Sequence, residues 1–208
     1  MRRAGRLPLE ELAPCLLDVP ADPAQVLSWP AVFGNDRPIE IEVGFGKGLF
    51  LLTSSMQRPD VNFLGIEIIR KYQLFTATRI VKRQLPNVRL VCGDARLFLK
   101  NHVAPASVQA VHVYFPDPWW KTRHHKRRVF TEAFATVCER ILQPNGRLHI
   151  ITDVEDYFTV MTQTVATATK LVQQPLDDRP GEALTNFEKK YREEGRPIWR
   201  ALYQRAAD

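Results

Sequence analysis

A doubly wound α/β domain, with a mainly parallel sheet and helices on both faces, is the fold that this sequence predicts. Three observations carry that reading. Short apolar runs rich in β-branched residues alternate with longer helical stretches, the rhythm of βαβ units. A glycine cluster, GFGKG, directly follows the first run. Acidic residues recur just past the ends of successive runs, where the ligands of open α/β sheets bind.

Residues 1–37 are rich in proline and end in the turn-like stretch Gly34-Asn35-Asp36-Arg37-Pro38. They read as an N-terminal arm, and residues 38–208 as one domain. The first strand is IEIEV (39–43), followed by a helix over LFLLTSSM. NFLGI (62–66) is the second strand, and a long helix is predicted over about 69–85. VRLVC (88–92) is the third strand, with a helix over 95–100. VQAVHVYF (108–115) is the fourth, with a helix from about 126 to 142 stopped by Pro144-Asn145-Gly146. RLHII (147–151) is the fifth strand, and another helix covers 154–170. Beyond Gly181 the sequence suggests a short charged helix, then a last strand over 197–203. Such crossovers are right-handed and put every parallel strand's carboxyl end on one edge.

The 208 residues are 45% hydrophobic and 25% charged, enough for one core and unlike a disordered chain. No apolar run reaches the ~18 residues of a membrane span. The start is read as no signal peptide, because Pro8, Glu10 and Glu11 break it. Cys15, Cys92 and Cys138 lie far apart and read as buried side chains or free thiols, not as zinc ligands or disulfides. The expected setting is cytoplasmic. Net charge is +6, and the run RHHKRR (123–128) holds four of the 29 Lys and Arg. Alone, such a run is a solvated face; beside aromatic residues it points to a polyanionic partner.

The strand ends carry the chemistry. Glu42 sits just before Gly44, Gly46 and Gly48, which let the backbone approach a ligand and turn straight into a helix. The spacing is GxGxG, one residue short of the dinucleotide fingerprint. Glu67, after strand two, is placed to accept ribose hydroxyl protons; a carboxylate favoured by a helix dipole is the other reading. Asp94, after strand three, is placed for an adenine amino group or, equally, as a helix cap. EVGFGKG, GIE and GDA at this spacing resemble class I S-adenosylmethionine-dependent methyltransferases. That resemblance implies Glu42, Gly44, Gly46, Glu67 and Asp94 as contacts to S-adenosylmethionine. A nicotinamide-dependent oxidoreductase is the rival on a similar fold, but an acid before the loop suits the methionine end of a methyl donor better than a pyrophosphate.

Strand four runs into Phe115-Pro116-Asp117-Pro118-Trp119-Trp120-Lys121. Two prolines hold Asp117 on a stiff, non-helical loop facing the crevice. The tryptophans offer flat faces to an unstacked base; core packing is the commoner fate of Trp and is expected for one of them. The loop also resembles the Asp/Asn-Pro-Pro-aromatic segment of amino-group methyltransferases. The longer string FPDPWWKTRHHKRR closely resembles the signature of bacterial tRNA (guanine-N7-)-methyltransferases, with TDVEDY (152–157) and TNFEKKY (185–191) in agreement. The resemblance implies methyl transfer to guanine N7 in the variable loop of tRNA, with Asp117 as the active-site acid that also touches the donor. Lys121, Asp153 and the segment Thr185, Asn186, Phe187 and Glu188 are then substrate contacts. Arg123, His124, His125, Lys126, Arg127 and Arg128 are an RNA-binding stretch. No metal and no obligatory protein partner are implied, and either a monomer or a homodimer suits it. Thr152-x-x-Glu155 and Thr185-x-x-Glu188 are equally read as capping boxes, which need no ligand. A non-catalytic RNA-binding module would have no use for acids at four strand ends.

Overall fold

The computed structural model describes residues 7–176, 190 and 193–207. Within them the strands are β1 (Leu16–Leu17), β2 (Ile39–Val43), β3 (Asn62–Glu67), β4 (Val88–Cys92), β5 (Val108–Tyr114), β6 (Leu142–Thr152), β7 (Val172–Gln174) and β8 (Trp199–Gln204). They form a single sheet in the order β1-β4-β3-β2-β5-β6-β8-β7. All pairs from β1 through β6 are parallel, and β8 runs antiparallel to both β6 and β7. The chain leaves β2 for β3 on one side and later returns to β5 on the other. The strand order therefore reverses between β2 and β5, the point at which open α/β sheets form their ligand crevice.

The helices are α1 (Leu9–Leu12), α2 (Trp29–Phe33), α3 (Leu49–Gln57), α4 (Arg70–Lys82), α5 (Ala95–His102), α6 (Glu132–Ile141) and α7 (Glu155–Ala168). Phe98 and Leu99 of α5, Phe134 and Cys138 of α6, and Tyr157 and Met161 of α7 pack with Ile41, Val43, Val111 and Val113 on one face. Phe50 and Leu51 of α3 and Leu74 and Ala77 of α4 pack with Phe63 and Leu90 on the other. Parallel strands buried on both faces explain why β2 and β3 have no exposed position.

Four boundaries differ from the sequence reading. Helix α6 begins at Glu132, not near 126, because the Thr131 hydroxyl accepts the Phe134 N–H at 3.2 Å and caps it. Residues 122–127 form a separate 3₁₀ turn. Pro144-Asn145-Gly146 does not separate helix from strand: α6 passes directly into β6, and the segment bulges out where the register jumps from Val108↔Leu142 to Ala110↔Arg147. Helix α4 stops at Lys82, with Gln84 in the left-handed region at φ 52°. Residues 7–37 contain structure that no periodicity announced. Leu16 and Leu17 add an edge strand to β4, and Leu12, Cys15, Trp29 and Phe33 are buried in the two cores. The charged helix expected after Gly181 lies largely outside the described residues.

Gly65 shows how closely β3 and the glycine turn are packed. A Cβ there would lie 2.5 Å from Leu51 Cδ1 and 2.6 Å from Phe45 Cδ1, both in buried side chains. Gly65→Ala is therefore expected to cost about 1–3 kcal/mol of stability through overpacking, as a lower urea midpoint at unchanged m-value.

Candidate active site

The turn from β2 into α3 is built on three left-handed glycines: Gly44 at φ 75°, Gly46 at 51° and Gly48 at 66°. Only glycine takes these angles without strain. At Gly48 space matters too, since a Cβ would lie 2.3 Å from Thr76 Cγ2. At Gly44 and Gly46 nothing lies within 4 Å of an added Cβ, so this part of the loop borders open space. The Gly44 N–H donates to the Ile66 carbonyl at 2.8 Å. The Glu67 carboxylate accepts the Gly46 N–H through Oε2 and the Ile69 N–H through Oε1, both at 2.9 Å. Glu67 thereby joins the ends of two neighbouring strands.

Beneath this loop lies Glu42, fully buried, with its Oε2 atom lacking any hydrogen-bond partner. Burial, reinforced by the nearby Glu67 charge, pushes its pKa up to about 8, while the Leu51 N–H works in the other direction. Such an atom is costly to bury, and it offers a polar ligand group a place to bond. Asp94 takes the capping role: it accepts the Arg96 N–H at 2.9 Å and pairs with the Arg96 guanidinium at 2.6 Å. The Arg96 hydrogen bond holds its pKa low.

Asp117 is exposed on the loop after β5. Phe115 at φ 49° and Trp119 at φ 47° flank it, both in the left-handed region that bulky residues avoid. Each costs on the order of 1–3 kcal/mol, and such strain persists where surrounding contacts overdetermine it. The contacts are visible. The Phe115 N–H donates to the Ile151 carbonyl at 2.7 Å. Arg128 Nε donates to the Pro118 carbonyl at 2.7 Å, and its guanidinium lies 4.7 Å from the Tyr157 ring centroid. Burial pushes the Tyr157 phenol up to about 12, and the Asp117 charge adds to that shift. Tyr157 carried no signal in the sequence beyond the TDVEDY string; only the fold brings it under the loop.

Trp119 is half-buried, edge-on to His124 at 5.9 Å, with the Arg127 guanidinium 5.0 Å from its ring. Trp120 is 71% exposed, so neither tryptophan is core. Lys121, Arg123, Lys126 and Arg127 are exposed around the same turn, to which His125 also belongs, whereas Arg128 faces inward. Asp153 emerges from β6 next to this loop, mostly buried, with Arg196 Nη1 at 3.9 Å. Thr152 makes no capping box: its hydroxyl accepts the Val154 N–H at 3.2 Å, and α7 starts without a side-chain cap. Thr185, Asn186, Phe187 and Glu188 lie outside the described residues.

Among the described residues, no cluster of three metal-ligating side chains occurs, and no helix is long and apolar enough to cross a membrane. The three cysteines are unpaired, and burial raises the thiol pKa of Cys15 and of Cys138.

The sheet order, the glycine turn and the acids at the strand ends define a doubly wound α/β domain with its ligand end at the switch point. Residues 36–201 match a family model, Methyltransf_4, described as "Putative methyltransferase". Among solved structures, the 16S rRNA methyltransferase KamB is similar at TM-score 0.60 and 15% identity, over 88% of this chain and 95% of that one. A 30S ribosomal A1408 methyltransferase from an uncultured bacterium is similar at TM-score 0.58 and 14% identity, over 84% and 91%. Curated relatives are closer. The tRNA (guanine-N(7)-)-methyltransferase of Rhodopirellula baltica is 41% identical over 91% of this chain and 74% of its own length. That of Geobacillus thermodenitrificans is 35% identical over 88% and 86%. The chain belongs to the tRNA (guanine-N(7)-)-methyltransferase family.

The buried Glu42 makes a prediction that needs no ligand. Between pH 4.5 and about 8 the unfolded chain releases this proton and the native chain keeps it. The native state then binds more protons, so this group makes stability fall as pH rises through the window. Glu42→Gln removes that term. Urea melts of the variant and the parent should diverge in the variant's favour as pH increases; parallel pH profiles would refute the raised pKa.

Proposed function

We propose that the chain transfers the methyl group of S-adenosylmethionine to N7 of a guanine in the variable loop of tRNA, giving 7-methylguanosine, and that it does so in the cytoplasm. One observation carries the reading. At the switch point of the sheet, a glycine turn over a buried acid with one unpartnered oxygen faces a strained loop that presents Asp117 beside a basic, aromatic turn. Family membership gives the substrate class, since the relatives are named for guanine N7 of tRNA.

The residues present fit the methyl donor. Glu42 has a free oxygen for a polar group such as the donor's ammonium. The carboxylate oxygens of Glu67 each retain a second lone pair after accepting one backbone N–H, which suits two ribose hydroxyls. Gly44 and Gly46 leave room for close approach, and Asp94 is assigned to the adenine end. When bound, S-adenosylmethionine supplies an electrophilic sulfonium methyl.

Guanine N7 carries an in-plane lone pair and no proton, so its attack requires no general base. As the N–C bond forms and the S–C bond breaks, positive charge passes from sulfur to the purine ring. What the protein contributes is alignment, exclusion of water and a negative charge near the developing cation. Asp117 is assigned that role, with Asp153 beside it, through the amino and ring N–H groups of the base. Lys121, Arg123, His124, His125, Lys126 and Arg127 are assigned to the RNA backbone, along with the 185–188 segment. Arg128 keeps its place in that stretch, but its bond to Pro118 also makes it a positioning residue that holds the Asp117 loop in its strained form.

Incubating the protein with labelled S-adenosylmethionine and unmodified bulk tRNA, then digesting to nucleosides, should put label in 7-methylguanosine. Label in an exocyclic amino group would select the amino-group reading instead, and no label would sink the assignment. Asp117→Ala should reduce turnover at least about a hundredfold, the scale of a lost electrostatic stabiliser, with tRNA affinity changed little. Arg128→Ala should likewise lower kcat more than it raises KM for tRNA, with partial recovery in Arg128→Lys. A variant whose only defect is a weaker, less salt-sensitive tRNA complex would make Arg128 a plain phosphate contact.

A further inference from the structure

We infer that the exposed face of α4 is a second tRNA-binding surface, which grips the RNA backbone on the side of the crevice away from the 122–127 turn. The inference rests on the tRNA reading above. From Ile68 to Gly93 the chain contains six Lys or Arg and no Asp or Glu. Lys71, Phe75, Arg79 and Arg83 recur every four residues and so share one stripe along α4 and its end. Lys71, Phe75 and Arg83 are exposed, as is Lys82 beside them. None of Arg70, Lys71, Arg79 and Arg83 has an ion-pair partner among the described residues.

Two features separate this stripe from an ordinary solvated face. First, Arg70 and Lys71 stand in the first turn of α4, with no acidic residue there. Cations at a helix N-terminus oppose the macrodipole and cost stability. A surface selected only for solubility mixes signs and places acids at this end; an anionic partner would turn the cost into attraction. Second, Phe75 is 48% exposed in the middle of the stripe, with the Arg79 guanidinium 5.6 Å from its ring centroid. A flat aromatic–guanidinium pair amid cations suits bases and phosphates. The surface also reaches the crevice, because Arg79 Nη1 donates to the Lys47 carbonyl in the glycine turn at 2.6 Å. RNA held on the 122–127 turn after β5 and on α4 after β3 would straddle the switch point.

The test compares the full chain with a Lys71→Gln/Lys82→Gln/Arg83→Gln variant. Titrations with tRNA at several salt concentrations give affinity and salt slope, and calorimetry with S-adenosylhomocysteine reports on the crevice. Binding of S-adenosylhomocysteine should stay within about twofold, while tRNA binding weakens about tenfold or more and its salt slope falls by about two to three, the loss of three phosphate contacts. Phe75→Ala should weaken tRNA binding about fivefold with little change in slope. An unchanged tRNA affinity and slope in the triple variant would overturn the inference, as would an equal loss of S-adenosylhomocysteine binding. If the parent protein methylates tRNA while the variant binds it normally, this surface alone is refuted; if the parent neither binds nor methylates tRNA, the proposed function falls with it.

Discussion

The Glu67 carboxylate, bonded to the Gly46 and Ile69 N–H groups, is the interaction on which the rest of the site depends. A three-glycine turn has high conformational entropy when unconstrained. Here the ends of β2 and β3 are paired in register through Val43↔Ile66, and one side chain extends that pairing past the strands into the loop. The Gly44 N–H on the Ile66 carbonyl does the same from the backbone. The turn is thus set before any ligand arrives, and a pre-set loop spares a ligand the ordering cost. Glu67 accepts one backbone N–H at each carboxylate oxygen and keeps a second lone pair on each, so the structural role and the proposed ribose contact do not compete.

The opposite wall is organised by another means. The β5 exit is held by strain balanced against anchoring, with Phe115 and Trp119 in unfavourable backbone regions and Ile151, Arg128 and Tyr157 keeping them there. The prolines on either side of Asp117 remove two N–H donors and narrow the alternatives. A rigid acid on this wall and a rigid glycine turn on the other leave alignment to the fold itself. Reactions without proton abstraction gain most from this arrangement, since placement is nearly all that is asked of the protein.

The sheet and the crevice were legible because their signals are local and periodic. The runs that became β2, β3, β4 and β5 are short segments rich in Ile, Val and Leu, and Gly44, Glu67 and Asp94 stand at fixed offsets from them. What could not be read depends on long-range contact. Leu16-Leu17 is too short to carry a period, and it becomes a strand only because β4 offers an open edge. The start of α6 was misplaced because the helix-favouring run 126–130 outweighed a single capping threonine, which the fold then used. Arg128 reads as one more cation in a basic run, and nothing local distinguishes it from Arg127. Its inward turn follows from Tyr157, nearly thirty positions later, arriving beneath the loop on α7. The same blindness applies to α4, whose cations are plain in the sequence while the stripe they form around Phe75 emerges only with the helix.

Strand β2 gives the sharpest contrast between structural and functional burial of charge. Glu40 and Glu42 are two residues apart, so they point to the same face, and each is 3% exposed. Burial works to raise the pKa of Glu40, but a hydrogen bond from His112 Nε2 at 3.0 Å and a two-pronged contact from Arg58 outweigh it and hold the acid at about 2. Its stabilising effect is present above the usual carboxylate range and is lost as pH falls towards 2. The Tyr114 hydroxyl completes the network, 2.8 Å from His112 Nδ1. Glu42 faces the same core with no such partner and is pushed the opposite way. A fold that satisfies one buried acid so fully had the means to satisfy or replace the other. Glu42 stays incomplete directly under a turn bordered by open space, and that contrast is the ground on which we propose a ligand as its missing partner.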